Sequence, residues 1–248
     1  YSSEDIYFEE KNLANQINLS KPIKNISWKM SGLNKQNNLG NLYLPSADIK
    51  FFKEKIGKNK FSLSKTTPSP LAYDNNLFLS DNKGTIFSIR MDGEINWKKN
   101  IYKKIYKKVY KHLAMSIYKD NIYVSDNIGF IYAISLKTGN VLWIKNHGIP
   151  FKSKIKTFND KIFLINQDNR IIAFSAQNGS VIWSIRTISS FIKSQDLLSL
   201  AISKKGFLIA SNSSGDLLKI NSENGKINWS LNTLPTSLKS ETDFFKSS

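Results

Sequence analysis

The chain has 248 residues, 36 Lys+Arg against 19 Asp+Glu for a formal charge of +17, and no cysteine. That length can bury one sizeable core. No apolar run approaches the ~18 residues of a membrane-spanning helix, and the missing thiol removes disulfides, thiolate metal sites, cysteine nucleophiles and iron–sulfur clusters together.

The make-up of the charge decides how it reads. Only Arg90, Arg170 and Arg186 carry a guanidinium, the planar fork that readers of phosphate and base edges use. The excess is therefore a dispersed lysine surface. It attracts acidic partners or an anionic membrane surface in a salt-dependent way, and nucleic acid is not an expected partner.

Residues 1–24 show little periodicity and read as a tail or linker, with a β-rich region over 25–248. In that region Ile49 to Ile56 reads as an isolated strand whose Phe52 precedes Trp97 by 45 residues. Four similar units follow, at about 68–99, 113–145, 154–185 and 198–231. Each opens on an apolar stretch (Leu71 to Tyr73, Leu113 to Tyr118, Ile155 to Phe158, Leu198 to Ser203) and a polar turn containing Asp74, Asp120, Asp160 or Lys204. A second strand runs into a turn cluster, Asp81 to Gly84, Asp126 to Gly129, Asp168 to Arg170 or Asn212 to Gly215, of which only the third lacks Gly. After a third apolar strand, a Gly precedes a Trp by four positions: Gly93 and Trp97, Gly139 and Trp143, Gly179 and Trp183, Gly225 and Trp229.

The Trp residues are 46, 40 and 46 apart. Four short β-branched and aromatic strands per unit, at a period of about 40–45 residues, are the signature of a β-propeller blade. The sequence therefore predicts an all-β fold of four-stranded antiparallel blades. The Gly supplies the positive φ of the turn into the outermost strand. The Trp then lies against the neighbouring blade, where its burial contributes a few kcal/mol; these eight residues are expected to dock blades, not to bind a ligand.

The run Tyr132 to Trp143, reading YAISLKTGNVLW, resembles the tryptophan-docking repeat of PQQ-type propellers. The lead-in Asn18 to Trp28, with Gly32-Leu33-Asn34 and Leu39 to Leu42, resembles that of BamB proteins, especially alphaproteobacterial ones. The resemblance implies an eight-bladed propeller that faces the periplasm from a lipid anchor on an upstream cysteine. It also implies a scaffold without catalysis or cofactor, working with a BamA-like barrel-assembly protein. With four units and the unmatched strand around Phe52, the chain is expected to be a piece of a longer protein.

An enzyme needs converging polar groups. Asp74, Asp120 and Asp160 recur at equivalent turns, as do Asp81 and Asp126 with Asp168 close to their register, and Asx residues at turns serve backbone amides. Quinoprotein dehydrogenases of this fold carry adjacent cysteines and a calcium site of acid and amide side chains; this alternative, and that of a generic ligand-binding or sensor propeller, stay open. His112 and His147 lie near inter-unit loops with no second ligand at metal spacing.

Two stretches stand outside the repeat. Residues 101–112 read IYKKIYKKVYKH, and at helical spacing the Ile, Val and Tyr side chains fill one half of the circumference and five Lys the other. Such a helix either covers apolar surface of its own propeller or, through Lys103, Lys104, Lys107 and Lys108, rests on a membrane surface or a partner groove. The second stretch, 184–197, offers Phe191 and Ile192 as apolar partner contacts.

Overall fold

The computed structural model describes residues 19–44, 69–106, 109–187 and 197–233. A parallel pair, β1 (Ile23–Lys24) and β2 (Leu42–Tyr43), precedes four antiparallel four-stranded sheets. Ile23 and Lys24, expected in the tail, are thus paired. Blade 1 is β3 (Leu71–Tyr73), β4 (Asn76–Ser80), β5 (Thr85–Arg90) and β6 (Ile95–Asn100). Blade 2 is β7 (Leu113–Tyr118), β8 (Asn121–Asp126), β9 (Phe130–Ser135) and β10 (Val141–Asn146). Blade 3 is β11 (Lys156–Phe158), β12 (Lys161–Ile165), β13 (Arg170–Ser175) and β14 (Val181–Arg186). Blade 4 is β15 (Leu200–Ile202), β16 (Phe207–Ser211), β17 (Asp216–Asn221) and β18 (Ile227–Asn232). Each blade is a meander, and the innermost strands β3, β7, β11 and β15 stand side by side in chain order. The propeller blades expected from the repeat are present.

The apolar runs are continuous because a middle blade is buried on both faces, so the period-2 alternation of a strand sorts side chains between two cores. Ile122, Val124, Tyr132 and Ile134 of blade 2 join Leu71, Phe78 and Ile86 of blade 1. Their neighbours Tyr123, Ile131 and Ala133 join Ile162, Leu164, Ile172 and Phe174 of blade 3. Phe163, Ile165, Ile171 and Ala173 point the other way, to Leu208, Ala210, Leu218 and Ile220 of blade 4. Among the described residues the core is three inter-blade layers.

The turn after the second strand is one device repeated. Asp81, Asp126, Asn166 and Asn212 each turn Oδ1 onto backbone amides two and four residues ahead, at 2.8–3.0 Å. Three residues on, the chain takes a positive φ at Gly84, Gly129, Asn169 and Gly215. Asn169, with φ 57°, fills the position that lacks Gly, as Asn does more readily than other side chains. Asn166, not Asp168, therefore stands in the register of Asp81 and Asp126.

Candidate functional site

Three features are available to act on other molecules: the joints between blades, the axial edge and the two rims. The joints are alike. In every blade a β-bulge falls between the third and fourth strands just before the Trp, and such an insertion re-aims the side chains beside it. The indole Nε1 then donates across the joint to a backbone carbonyl: Trp97 to Leu136 at 3.1 Å, Trp143 to Ala176 at 3.3 Å and Trp183 to Ser222 at 3.0 Å.

The ring lies over the next blade's glycine. A Cβ on Gly139 would stand 2.5 Å from Trp97 Cε3, one on Gly179 2.7 Å from Trp143 Cζ3 and one on Gly225 2.9 Å from Trp183 Cδ2. Gly therefore meets two demands at once, a φ of 69–75° and close approach of the indole. The end positions differ: no described atom lies within 4 Å of a Cβ on Gly93, and Trp229 is 42% exposed. Ion pairs add to the joints, Lys119 to Asp160 at 2.5 Å and Lys161 to Glu223.

The axial edge is covered by the chain itself. Each innermost strand leaves one row of backbone groups without a strand partner, and residues 28–37 cross all four rows in order. Trp28 exchanges backbone hydrogen bonds with Ala72 at 2.6 and 3.0 Å, and Ile117 N–H donates to Lys29 C=O at 2.6 Å. Lys156 Nζ reaches from blade 3 to the carbonyls of Ser31 and Asn34, at 2.6 and 2.9 Å. Ile202 N–H donates to Lys35 C=O at 2.7 Å, and Asn37 Nδ2 to Leu200 C=O at 2.8 Å. The ammoniums of Lys29 and Lys35 cap the rings of Tyr73 and Phe158 at 4.0 and 3.6 Å. Burial pushes the Lys156 ammonium down to about 8, because the desolvated site disfavours charge.

The rims separate by connectivity. One carries the Asx turns and the loops between blades, joined by bonds such as His147 N–H to Gly129 C=O at 2.8 Å and Thr233 N–H to Gly215 C=O at 2.8 Å. The other carries the remaining turns, joined by bonds such as Leu136 N–H to Asp120 C=O at 2.9 Å.

On the first rim, residues 101–106 and 109–111, the described part of the expected helix, are not α-helical. Ile101 N–H donates to Gly84 C=O at 3.1 Å and Lys111 N–H to Asn82 C=O at 3.3 Å, so both ends are tied to one turn. A straight helix of that length would separate them by about 15 Å. Among the described residues of the segment, Lys104–Tyr106 form a 3₁₀ turn and none is α-helical. Ile101, Tyr102 and Lys111 are buried at its base, whereas Ile105 is 79% exposed at its tip.

The Lys111 ammonium donates to the carbonyls of Tyr106 and Val109, at 2.5 and 2.8 Å, and faces the Tyr102 ring at 4.7 Å. Burial lowers its pKa, and the charges of Asp126 and Asp81 pull it back up. The Tyr102 hydroxyl donates to Asp126 Oδ2. Burial raises the Asp126 pKa, against that hydrogen bond and those from the amides of Phe130, Ile128 and Gly129. His147, beside an inter-unit loop, packs its ring 4.7 Å from Phe174 and 6.0 Å from Phe151, and burial lowers its pKa.

The family model described as outer membrane protein assembly factor BamB matches residues 56–160 and 150–246, most of the chain. The chain belongs to the BamB family. BamB from Moraxella catarrhalis superposes with a TM-score of 0.59 at 13% identity, over 71% of this chain and 51% of that one. The quinohemoprotein alcohol dehydrogenase of Comamonas testosteroni superposes with a TM-score of 0.64 at 13% identity, over 85% of this chain and 41% of that one. Both likenesses concern the fold. Among curated proteins, the quinoprotein ethanol dehydrogenase of Pseudomonas putida is 32% identical over 72 residues, 25% of this chain and 12% of that protein. The chain thus spans about half the length of the BamB structure and a small part of the curated relative.

In this BamB-family chain the structure brings three Trp–Gly pairs together, and Gly93 and Trp229 have no such partner among the described residues. Lys103 and Lys104 are exposed beside the tip of the 101–111 segment. Lys107, Lys108, Phe191, Ile192 and the segment around Phe52 lie outside the described residues. Sequence reasoning missed the axial strap. Trp28 was its one visible signal, the single Trp outside the repeat.

Proposed function

We propose that the chain is a non-catalytic scaffold of outer-membrane β-barrel assembly, working in the periplasm and holding a BamA-like protein through the inter-blade loops of one rim. Membership of the BamB family over most of the chain carries this reading. The division of labour within the fold supports it: three of the four repeat indoles are occupied in the joints, and residues 28–37 occupy the axial edge, which leaves loops to meet a partner. The buried acids Asp81 and Asp126 serve backbone amides. A lipid anchor upstream, as the family has, holds the propeller at the outer membrane.

Crosslinking the full chain to the periplasmic part of a BamA-like protein tests the reading. A specific adduct is expected, weakened by Phe191→Ala with Ile192→Ala; no adduct with the intact loops refutes it. The identity shared with the quinoprotein ethanol dehydrogenase favours a second reading, part of a PQQ-dependent dehydrogenase. Quinone absorbance and dye reduction after adding PQQ and calcium would support that instead.

A further inference from the structure

We propose that Lys103, Lys104 and Ile105, the exposed tip of the segment that follows β6, form a docking element for an anionic phospholipid bilayer, a contact separate from the one with the barrel-assembly protein. Three observations converge on it. First, the tip presents an aliphatic side chain to solvent: Ile105 is 79% exposed and Val109 45% exposed. Second, the base holds it there. Both ends are tied to the Gly84 turn, Ile101, Tyr102 and Lys111 are buried, and the Tyr106 ring meets Tyr102 and Phe130 edge-on at 6.4 and 5.4 Å. These contacts fix the residues on either side of Ile105.

Third, the outward charge around the tip is positive. Lys103 and Lys104 flank Ile105, and Lys83 of the adjoining turn is exposed on the same rim. The nearby acids Asp81 and Asp126 are 5% and 2% exposed and bonded to backbone amides. An aliphatic tip between ammonium groups matches the phospholipid interface: the side chain enters the acyl boundary while the lysines stay at phosphate depth. Lysines near an anionic surface each contribute about fivefold in partitioning.

The test is co-sedimentation of the full chain with phosphatidylethanolamine vesicles containing 30% phosphatidylglycerol, beside pure phosphatidylcholine vesicles. Binding is expected to the first and not the second, and to fall at high salt. Lys103→Gln with Lys104→Gln should weaken it by about 25-fold, and Ile105→Ser by about tenfold. Unchanged thermal melts, followed by tryptophan fluorescence, keep the comparison among folded proteins. Lys204→Gln with Lys205→Gln on the opposite rim should leave binding unchanged, and an equal loss there would assign the effect to diffuse charge and overturn the proposal. Equal binding to both vesicle types overturns it too. So does a tip variant that binds vesicles normally but loses the BamA-like protein, since the tip would then be a protein contact.

Discussion

Replacing Gly139 with Ala separates the two demands placed on the joint glycines. Gly139 has φ 69°, and its Cβ would stand 2.5 Å from Trp97 Cε3. Gly148, in the loop after β10, also has φ 69°, and nothing lies within 4 Å of its Cβ position. The backbone cost of an L-residue in this region, about 1 kcal/mol, is common to both. Only Gly139→Ala must also push an indole held by its bond to Leu136 C=O, and overpacking of this kind costs about 1–3 kcal/mol. Urea unfolding followed by tryptophan fluorescence should therefore show a loss of about 1 kcal/mol for Gly148→Ala and about 2–4 kcal/mol for Gly139→Ala. Equal losses would mean that the indole does not press on the glycine, and the account of the joint would fail.

Trp183→Phe removes the bond to Ser222 C=O and should cost about 1–2 kcal/mol, while Trp229→Phe, at an exposed end position, should stay within about 0.5 kcal/mol in the same unfolding assay. Tyr102→Phe removes a donor from the buried Asp126 carboxyl and should destabilise by about 1–3 kcal/mol on thermal or urea unfolding. Lys156 releases its proton near pH 8 when folded and near 10.5 when unfolded, so the unfolded chain binds more protons between those values and stability rises with pH across that window. Denaturation midpoints should show a gain of about 1–2 kcal/mol from pH 8 to 9.5, absent in Lys156→Met. Above pH 10 the buried tyrosines, whose pKa values burial raises, oppose the trend.

What the sequence disclosed depended on the range of the physics involved. Strands and turns recur at a fixed period because each blade solves the same local problem, so β7 falls at Leu113–Tyr118, as the sequence analysis expects. The Trp–Gly joints were legible for the same reason. The third Asx turn is less legible because Asp168 lies close to the register of Asp81 and Asp126, while Asn166, whose amide oxygen does the same work, occupies it. The strap was invisible because it binds through backbone groups and through Lys156, more than 120 residues away, and such partners leave no periodicity. The helix expected at 101–112 failed because apolar spacing says nothing of where chain ends are tied. Two bonds tie Ile101 and Lys111 to the Gly84 turn, with Lys111 buried and Ile105 exposed.

The scaffold reading meets its most direct test in a calorimetric titration of the full chain with the periplasmic part of a BamA-like protein, with and without PQQ and calcium. Saturable binding that is indifferent to the cofactor is the predicted result. Absence of binding, together with calcium-dependent uptake of the quinone, would contradict it.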